Sequence, residues 1–177
     1  MLIAISVGAC KNSIKEVEDT AEHYEPAKET GKNIELTYYE SGHVKVKLTA
    51  PKIIRAKTKD PYIEFPKGLL VRFYNDSLNL TSTLRANYGI RYEKEHKTYF
   101  RDSVQLKNIA DEKLETEELI WDENKSTIYT DKFVKVITPD ERITGKGFEA
   151  DQEFKNWTIK NITGQVYVQR GKTDENF

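Results

Sequence analysis

From Ile34 to Val168 large apolar residues alternate with polar ones, and this limits the fold more than any other feature of the chain. A period of two marks a half-buried β-strand, because successive side chains leave opposite faces of the pleat. The fullest case is Ile143–Val168, ITGKGFEADQEFKNWTIKNITGQVYV. It reads as three short strands and two turns. Ile143, Gly145 and Gly147 share one side, and Phe148 and Ala150 follow with their own alternation. Asp151–Glu153 starts one turn and Asn161–Gly164 makes the other. Trp157 pairs in phase with Ile159, and Val166 with Val168.

The same pattern recurs upstream. Asn79-Leu-Thr-Ser-Thr-Leu84-Arg-Ala86, Leu114-Glu-Thr-Glu-Glu-Leu119-Ile-Trp121 and Ile143-Thr-Gly-Lys-Gly-Phe148-Glu-Ala150 are three related copies. Each is followed by a turn and an alternating strand, marked by Val104/Leu106, Val134/Val136 and Val166/Val168. The spacing of about thirty residues is that of a repeat architecture. One unit buries one face only. Stacked units give a long antiparallel sheet folded over on itself, with Val104, Leu106, Leu119, Trp121, Val134, Val136, Phe148, Ala150, Ile159, Val166 and Val168 inside. A slip of one residue would turn such a set outward, so its register must be strict.

Ahead of the repeat, Ile34–Leu48 reads as a hairpin turning at Ser41-Gly42. Tyr62–Phe65 and Leu69–Tyr74 read as a second hairpin around Pro66-Lys67-Gly68, after a less regular piece between Pro51 and Pro61. Lys11–Asn33 is a charged tether without an apolar period, which cannot bury enough surface to offset its ordering entropy. The folded domain is placed at residues 34–170, with a polar tail at 171–177.

With 177 residues the chain suffices for one domain with a core. Charged residues make up 32% and apolar ones 37%, which suits a thin sheet protein better than a thick α/β globule. A net charge of −1 gives no basic footprint for nucleic acid. No run is long and apolar enough for a membrane-spanning helix. The single cysteine, Cys10, excludes an internal disulfide. It ends the apolar stretch MLIAISVGA, and Val7-Gly8-Ala9-Cys10 resembles a bacterial lipobox, in which the cysteine becomes the acylated N-terminus of a membrane-anchored lipoprotein. The other reading is a secretory leader with a chance cysteine.

Candidate chemistry is sparse. His23, His43 and His96 are far apart and read as solvated surface rather than metal ligands, and no cofactor is indicated. Glu115, Glu117 and Glu118 read as a solvated strand face rather than a catalytic pair. Gly145-Lys-Gly147 lacks the helix that a phosphate loop needs, and glycines inside strands mark bends or bulges. Trp121 and Trp157 are core residues or walls of an apolar cavity. No nucleophile stands beside a base.

Several stretches in order, FPKGLLVRFYND, TSTLRANYG, LETEELIWDENKSTIYTDKFVKVITPDERITGKGFEADQEF and WTIKNITGQVYV, resemble the LptC family, in its Bacteroidetes-type variant. The resemblance spans Ile34 to Val168. It implies an all-β fold, an open twisted antiparallel β-jellyroll with a hydrophobic slit along one side. It implies a non-catalytic periplasmic protein that accepts lipopolysaccharide acyl chains from an inner-membrane ABC transporter. The next, LptA-like bridge protein of the same fold would receive them. The slit would be lined by Val104, Leu106, Leu119, Trp121, Val134, Val136, Phe148, Ile159, Val166 and Val168. The last strand, Gly164, Gln165, Val166, Tyr167, Val168 and Gln169, would be the partner edge, since it carries no charge or proline to blunt it. The possible lipobox and tether stand where the better-known members carry a transmembrane helix. Two other classes stay open: a cell-envelope assembly lipoprotein acting as a sheet scaffold, and a small secreted hydrolase.

Overall fold

The computed structural model describes residues 28–167. They form strands β1 (Lys28–Glu40), β2 (His43–Ala56), β3 (Tyr62–Phe65), β4 (Leu69–Tyr74), β5 (Leu80–Ala86) and β6 (Tyr88–Tyr92). The series continues with β7 (Lys97–Asn108), β8 (Lys113–Asp122), β9 (Thr127–Ile137), β10 (Glu141–Asp151) and β11 (Trp157–Tyr167). Among the described residues there is no helix, and all eleven strands join one antiparallel sheet. The described residues are therefore all-β, consistent with the jellyroll that the resemblance implies.

The connectivity is simpler than the strand count suggests. β3 pairs with the end of β2, at Ile54↔Glu64, and β4 pairs with its middle, at Val46↔Phe73. β3 and β4 do not pair with each other; they lie end to end along β2. Pro66-Lys67-Gly68 is thus a bend within one strand, and not the hairpin its turn chemistry predicts. Pro66 lacks a ladder donor and Gly68 takes φ +77°, so the chain breaks pairing without reversing. β5 and β6 likewise lie end to end along β7 and break at Asn87. The whole sheet is a meander of long strands, each interrupted near its middle.

These interruptions are neighbours. Asn87 donates its backbone N–H to the Asp102 carbonyl at 3.0 Å. Asp102 and Ser103 take φ +62° and +58°, and the register of β7 against β8 shifts there. The β8–β9 register shifts between Thr116 and Ile120, and the β9–β10 register shifts beside Gly147, at φ +81°. A bulge bends its strand and increases local twist. A row of them creases the sheet, and the two halves fold face to face. One leaf holds β4, β5 and the adjoining ends of β7 to β11; the other holds β3, β6 and their opposite ends. Phe73 of the first leaf meets Trp121 of the second edge-to-face, with ring centroids 5.6 Å apart.

The alternation resolves into this sandwich. Val104, Leu106, Leu119, Trp121, Val134, Val136, Phe148, Ala150 and Ile159 are all buried between the leaves, with Phe65, Phe73 and Phe100. Val166 is a correction, at 65% exposure. The register of β10 against β11 shifts between Thr144 and Gly145, so Val166 stands opposite outward Arg142 while Gln165 stands opposite inward Ile143. The added residue reverses the phase beyond it. Asn161–Gly164 is likewise part of β11, not a turn, so Ile143–Tyr167 is one long hairpin and not three strands.

Two boundaries also differ. The piece after Pro51 is the end of β2, which runs on to Ala56. Lys28–Asn33, assigned above to the tether, extend β1 along it, with Lys28 opposite Ala56. Their side chains bury little, and they are held through the main-chain ladder. The hairpin at Ser41-Gly42 is as expected: φ values of +50° and +82° are those of a two-residue type I′ turn. Val168, Gln169, Cys10 and His23 lie outside the described residues.

Closure of the crease depends on close backbone approach at Gly145. A Cβ there would sit 2.4 Å from the Asn161 carbonyl oxygen and 2.5 Å from Ile159 Cγ2. Backbone cannot yield as a flexible side chain does. Gly145→Ala should therefore cost about 1–3 kcal/mol of stability. Urea unfolding should show a lower midpoint with an unchanged slope.

Candidate functional site

The two leaves meet differently at the two ends of the sheet. At the β10–β11 end they are tied together. Phe154, in the turn after β10, is fully buried and packs on Phe148 and Trp157, with ring centroids 5.9 and 6.4 Å away. Its carbonyl accepts the Asn108 amide at 2.8 Å, which brings the β10–β11 turn onto the β7–β8 turn of the other leaf. Trp157 Nε1 donates to Glu112 of that same turn at 3.4 Å. Asp151 holds the turn in shape by accepting the backbone N–H groups of Lys155 and Asn156, each at 3.0 Å.

At the β1–β2 end the leaves part around a cleft of about 170 Å³. Leu36, Tyr38, Val46 and Leu48 line it from β1 and β2. Ile63, Phe65 and Trp121 face them from the second leaf. The strand phase explains the composition. Leu36↔Leu48 and Tyr38↔Val46 are directly opposed pairs, so all four side chains leave the same face. Tyr38 reaches across to Trp121, with ring centroids 6.2 Å apart and planes at 87°. The Trp121 Nε1–H is buried and, among the described residues, has no hydrogen-bond partner.

A charged pair completes the wall. Arg91 Nε and Nη2 donate to Glu123 Oε1 and Oε2 at 2.6 and 2.7 Å, the two-pronged geometry that suits a guanidinium and a carboxylate. Thr98 Oγ1 donates to Glu123 Oε1 at 3.3 Å. The Glu123 side chain is only 4% exposed, and its hydrogen bond raises the Arg91 pKa above the ordinary guanidinium value. The site is thus apolar on both walls, with one neutralised ion pair and one unsatisfied donor. Such a cleft accepts hydrocarbon and fixes a polar group beside it. Nothing in it supplies a nucleophile with a base.

Of the expected slit residues that the structure describes, Trp121 alone lines this cleft. Val104, Leu106, Leu119, Val134, Val136, Phe148 and Ile159 lie deeper, in the closed core. The residues that sequence reasoning missed are the cleft wall of β1 and β2 and the Arg91–Glu123 pair. Leu36, Tyr38, Val46 and Leu48 had the right alternation but fell outside the repeat. Arg91 shares the inward phase of Gly89, where a Cβ would sit 2.9 Å from Leu69 Cδ2, but its charge reads as solvent-facing in the sequence. Among the described residues no three of His, Cys, Asp and Glu gather as metal ligands. Glu115 bonds Lys113 and Lys135 on the outer face, and Glu118 bonds Arg101.

Removing one partner of a largely buried, hydrogen-bonded charge pair strands the other. Glu123→Gln keeps the shape and removes the charge. It should lower stability by about 1–3 kcal/mol, and Arg91→Met together with Glu123→Gln should recover part of that loss. A double-mutant cycle in urea checks the coupling. Strict additivity would show that the pair is energetically idle.

The family model described as lipopolysaccharide-assembly, LptC-related, matches residues 1–168. A search of curated proteins finds no match. Nearly the whole chain is covered, including both walls of the cleft, the crease and the closing hairpin. The chain belongs to the LptC-related family, and its role lies in lipopolysaccharide transport and assembly.

Proposed function

We propose that the protein is a periplasmic lipid carrier within the export machine, holding acyl chains of lipopolysaccharide between its two leaves. The observation that carries this reading is the apolar cleft at the β1–β2 end, walled by Leu36, Tyr38, Val46, Leu48, Ile63 and Trp121. Burying a methylene contributes about 0.8 kcal/mol, so a few carbons give useful affinity without any reaction. The core residues below Trp121, among them Val104, Leu106, Val134 and Val136, are the surface an acyl chain meets as the leaves separate. The protein performs no catalysis in this scheme. It accepts lipid from an inner-membrane ABC transporter and passes it to an LptA-like bridge protein.

The partner edge in this reading is β11. It ends the sheet, as β1 does at the other side. The two edges differ in kind. β1 carries Lys28, Glu29, Lys32 and Glu35, charges that discourage strand addition. The stretch 161–167 of β11, Asn-Ile-Thr-Gly-Gln-Val-Tyr, carries no charge or proline. Ile162, Val166 and Tyr167 are exposed on it. Strand addition there would join like-folded units through main-chain bonds, with alternate side chains setting register. Val168 and Gln169 would extend the same edge. Cys10 would carry the acyl anchor, since stable membrane attachment takes more than one chain.

A photo-crosslinker at Tyr38 or Ile63 should trap lipopolysaccharide in cells, whereas one at outward-facing Asp131 should not. Equal yields would remove the cleft as the lipid site and leave a scaffold role. Ile162→Lys with Val166→Lys should leave the fold intact, by circular dichroism, and abolish pull-down of the bridge protein; undiminished capture would place the partner elsewhere. Metabolic labelling with a fatty-acid analogue should be lost in Cys10→Ala, and persistent label would refute the anchor.

A further inference from the structure

The outward side of the first leaf carries a charge pattern that the cleft does not use. Directly opposed residues of an antiparallel ladder share a face. Lys47 of β2 stands opposite Arg72 of β4. Arg72 is followed across the sheet by Thr83 of β5 and Lys107 of β7. Lys107 stands opposite Lys113 of β8, and beyond Ile137 of β9 the row ends on Arg142 of β10. Carboxylates neutralise its middle. Lys107 pairs with Asp111 at 2.5 Å, and Lys113 with Glu115 at 2.6 Å. Among the described residues Lys47 and Arg72 are in no salt bridge, and neither is Arg85 in the adjacent row.

Like charges directly opposed on a sheet destabilise it. Lys47 against Arg72 is such a pair. The outer side of the second leaf differs in pairing: its cations stand against carboxylates, Arg101 bonded to Glu118 and Lys97 opposite Asp122, among Tyr92, Tyr99 and Tyr129. The chain as a whole has a net charge of −1, so the basic row reflects segregation and not composition.

We propose that the outer face of the first leaf rests on a bilayer surface rich in anionic phospholipid headgroups. The extent of the row argues for a surface over a small ligand. It crosses β2, β4, β5, β7, β8, β9 and β10, and at roughly 4.8 Å per strand step it is about 30 Å long. A single phosphate would engage two of these cations, whereas a layer of headgroups engages the row at once. Where β1, β2, β4 and β5 meet at the crease, Lys67 and Arg85 share the rim of a depression of about 600 Å³ with Glu35. Each cation near an anionic bilayer strengthens partitioning by about fivefold, and salt screens the effect.

The test is vesicle co-sedimentation of the full-length chain carrying Cys10→Ser, so that no acyl group at that position contributes. Phosphatidylcholine vesicles containing phosphatidylglycerol should retain it, pure phosphatidylcholine should not, and raised salt should release it. Lys47→Glu with Arg72→Glu should weaken retention on the order of a hundredfold. Lys94→Glu with Lys160→Glu, away from this face, should leave it unchanged. Lys47→Glu alone should keep or raise the melting temperature, because it places opposite charges across β2 and β4. Equal retention on neutral vesicles, retention indifferent to salt, a Lys47/Arg72 variant that binds as wild type does, or equal loss in the control pair would each overturn the proposal. So would failure to bind any vesicle while an acidic polypeptide is retained, which would assign the face to a protein partner.

Discussion

Each long strand of the sheet, with β3–β4 and β5–β6 counted as one apiece, has to serve two leaves, and the backbone phase at the crease decides whether it can. A strand puts alternate side chains on opposite faces, so a sheet folded on itself keeps one continuous inner face only if all strands bend at the same level. The inner face shows how this is met. Thr116 and Leu119 are inward neighbours on β8, and so are Gly145 and Phe148 on β10, although neither pair fits a strict period of two. Phe100 and Val104 bracket Asp102 and Ser103 on β7, both in the left-handed region. Pro51, Pro66, Asn87 and Gly147 supply the same interruption elsewhere by different local chemistry. The crease is therefore a property of the row, and no single residue type signs for it.

That explains what could be read from the chain alone. Of the three copies of the repeat, Leu114–Trp121 and Ile143–Ala150 span the crease on β8 and β10, whereas Asn79–Ala86 is β5 and ends at it. The inward set followed from alternation within a half-strand, where Leu106, Val136 and Phe148 are secure. Val166 failed because the phase reset between Thr144 and Gly145 leaves no mark: the residues on either side alternate correctly with themselves. Pro66-Lys67-Gly68 misled for a related reason. Its turn chemistry serves a reversal or a bend equally, and the choice is made by β2, which lies earlier in the chain and pairs with both pieces. The cleft was hidden because its walls come from β1, β2 and β3, outside the repeat, and from Arg91 and Glu123, whose charges suggest solvent.

The contrast between the two ends gives the sandwich a direction. At the β10–β11 end, Phe148, Phe154 and Trp157 fill the space and Asn108 ties the turns across it. Opening that end would expose three aromatic side chains and orphan a buried amide. At the β1–β2 end the contact between leaves is Tyr38 and Phe73 on Trp121, beside an unfilled volume. In the proposed role, apolar matter would enter where the fewest contacts must be given up, which is beside Tyr38. Lengthening the cavity from there runs into Phe73 and Leu48, and then the core of the repeat.

The charged pair in this wall fits such a role better than an uninterrupted apolar lining would. A lone Arg91 on the inner face would repel hydrocarbon and bear a heavy desolvation cost. Bonded to Glu123 through both prongs, it is neutral as a unit, and the carboxylate keeps one further bond to Thr98. A neutral polar pair does not stabilise the fold more than packed apolar side chains of the same volume. What it adds is position. Hydrocarbon gains nothing by lying over it, whereas an ester or amide oxygen could bond the guanidinium's remaining N–H groups. Trp121 Nε1–H, buried in the same wall without a partner, is a second donor of that kind. In the proposed carrier role, tails would lie against Leu48 and Phe65 and a polar linkage at Arg91.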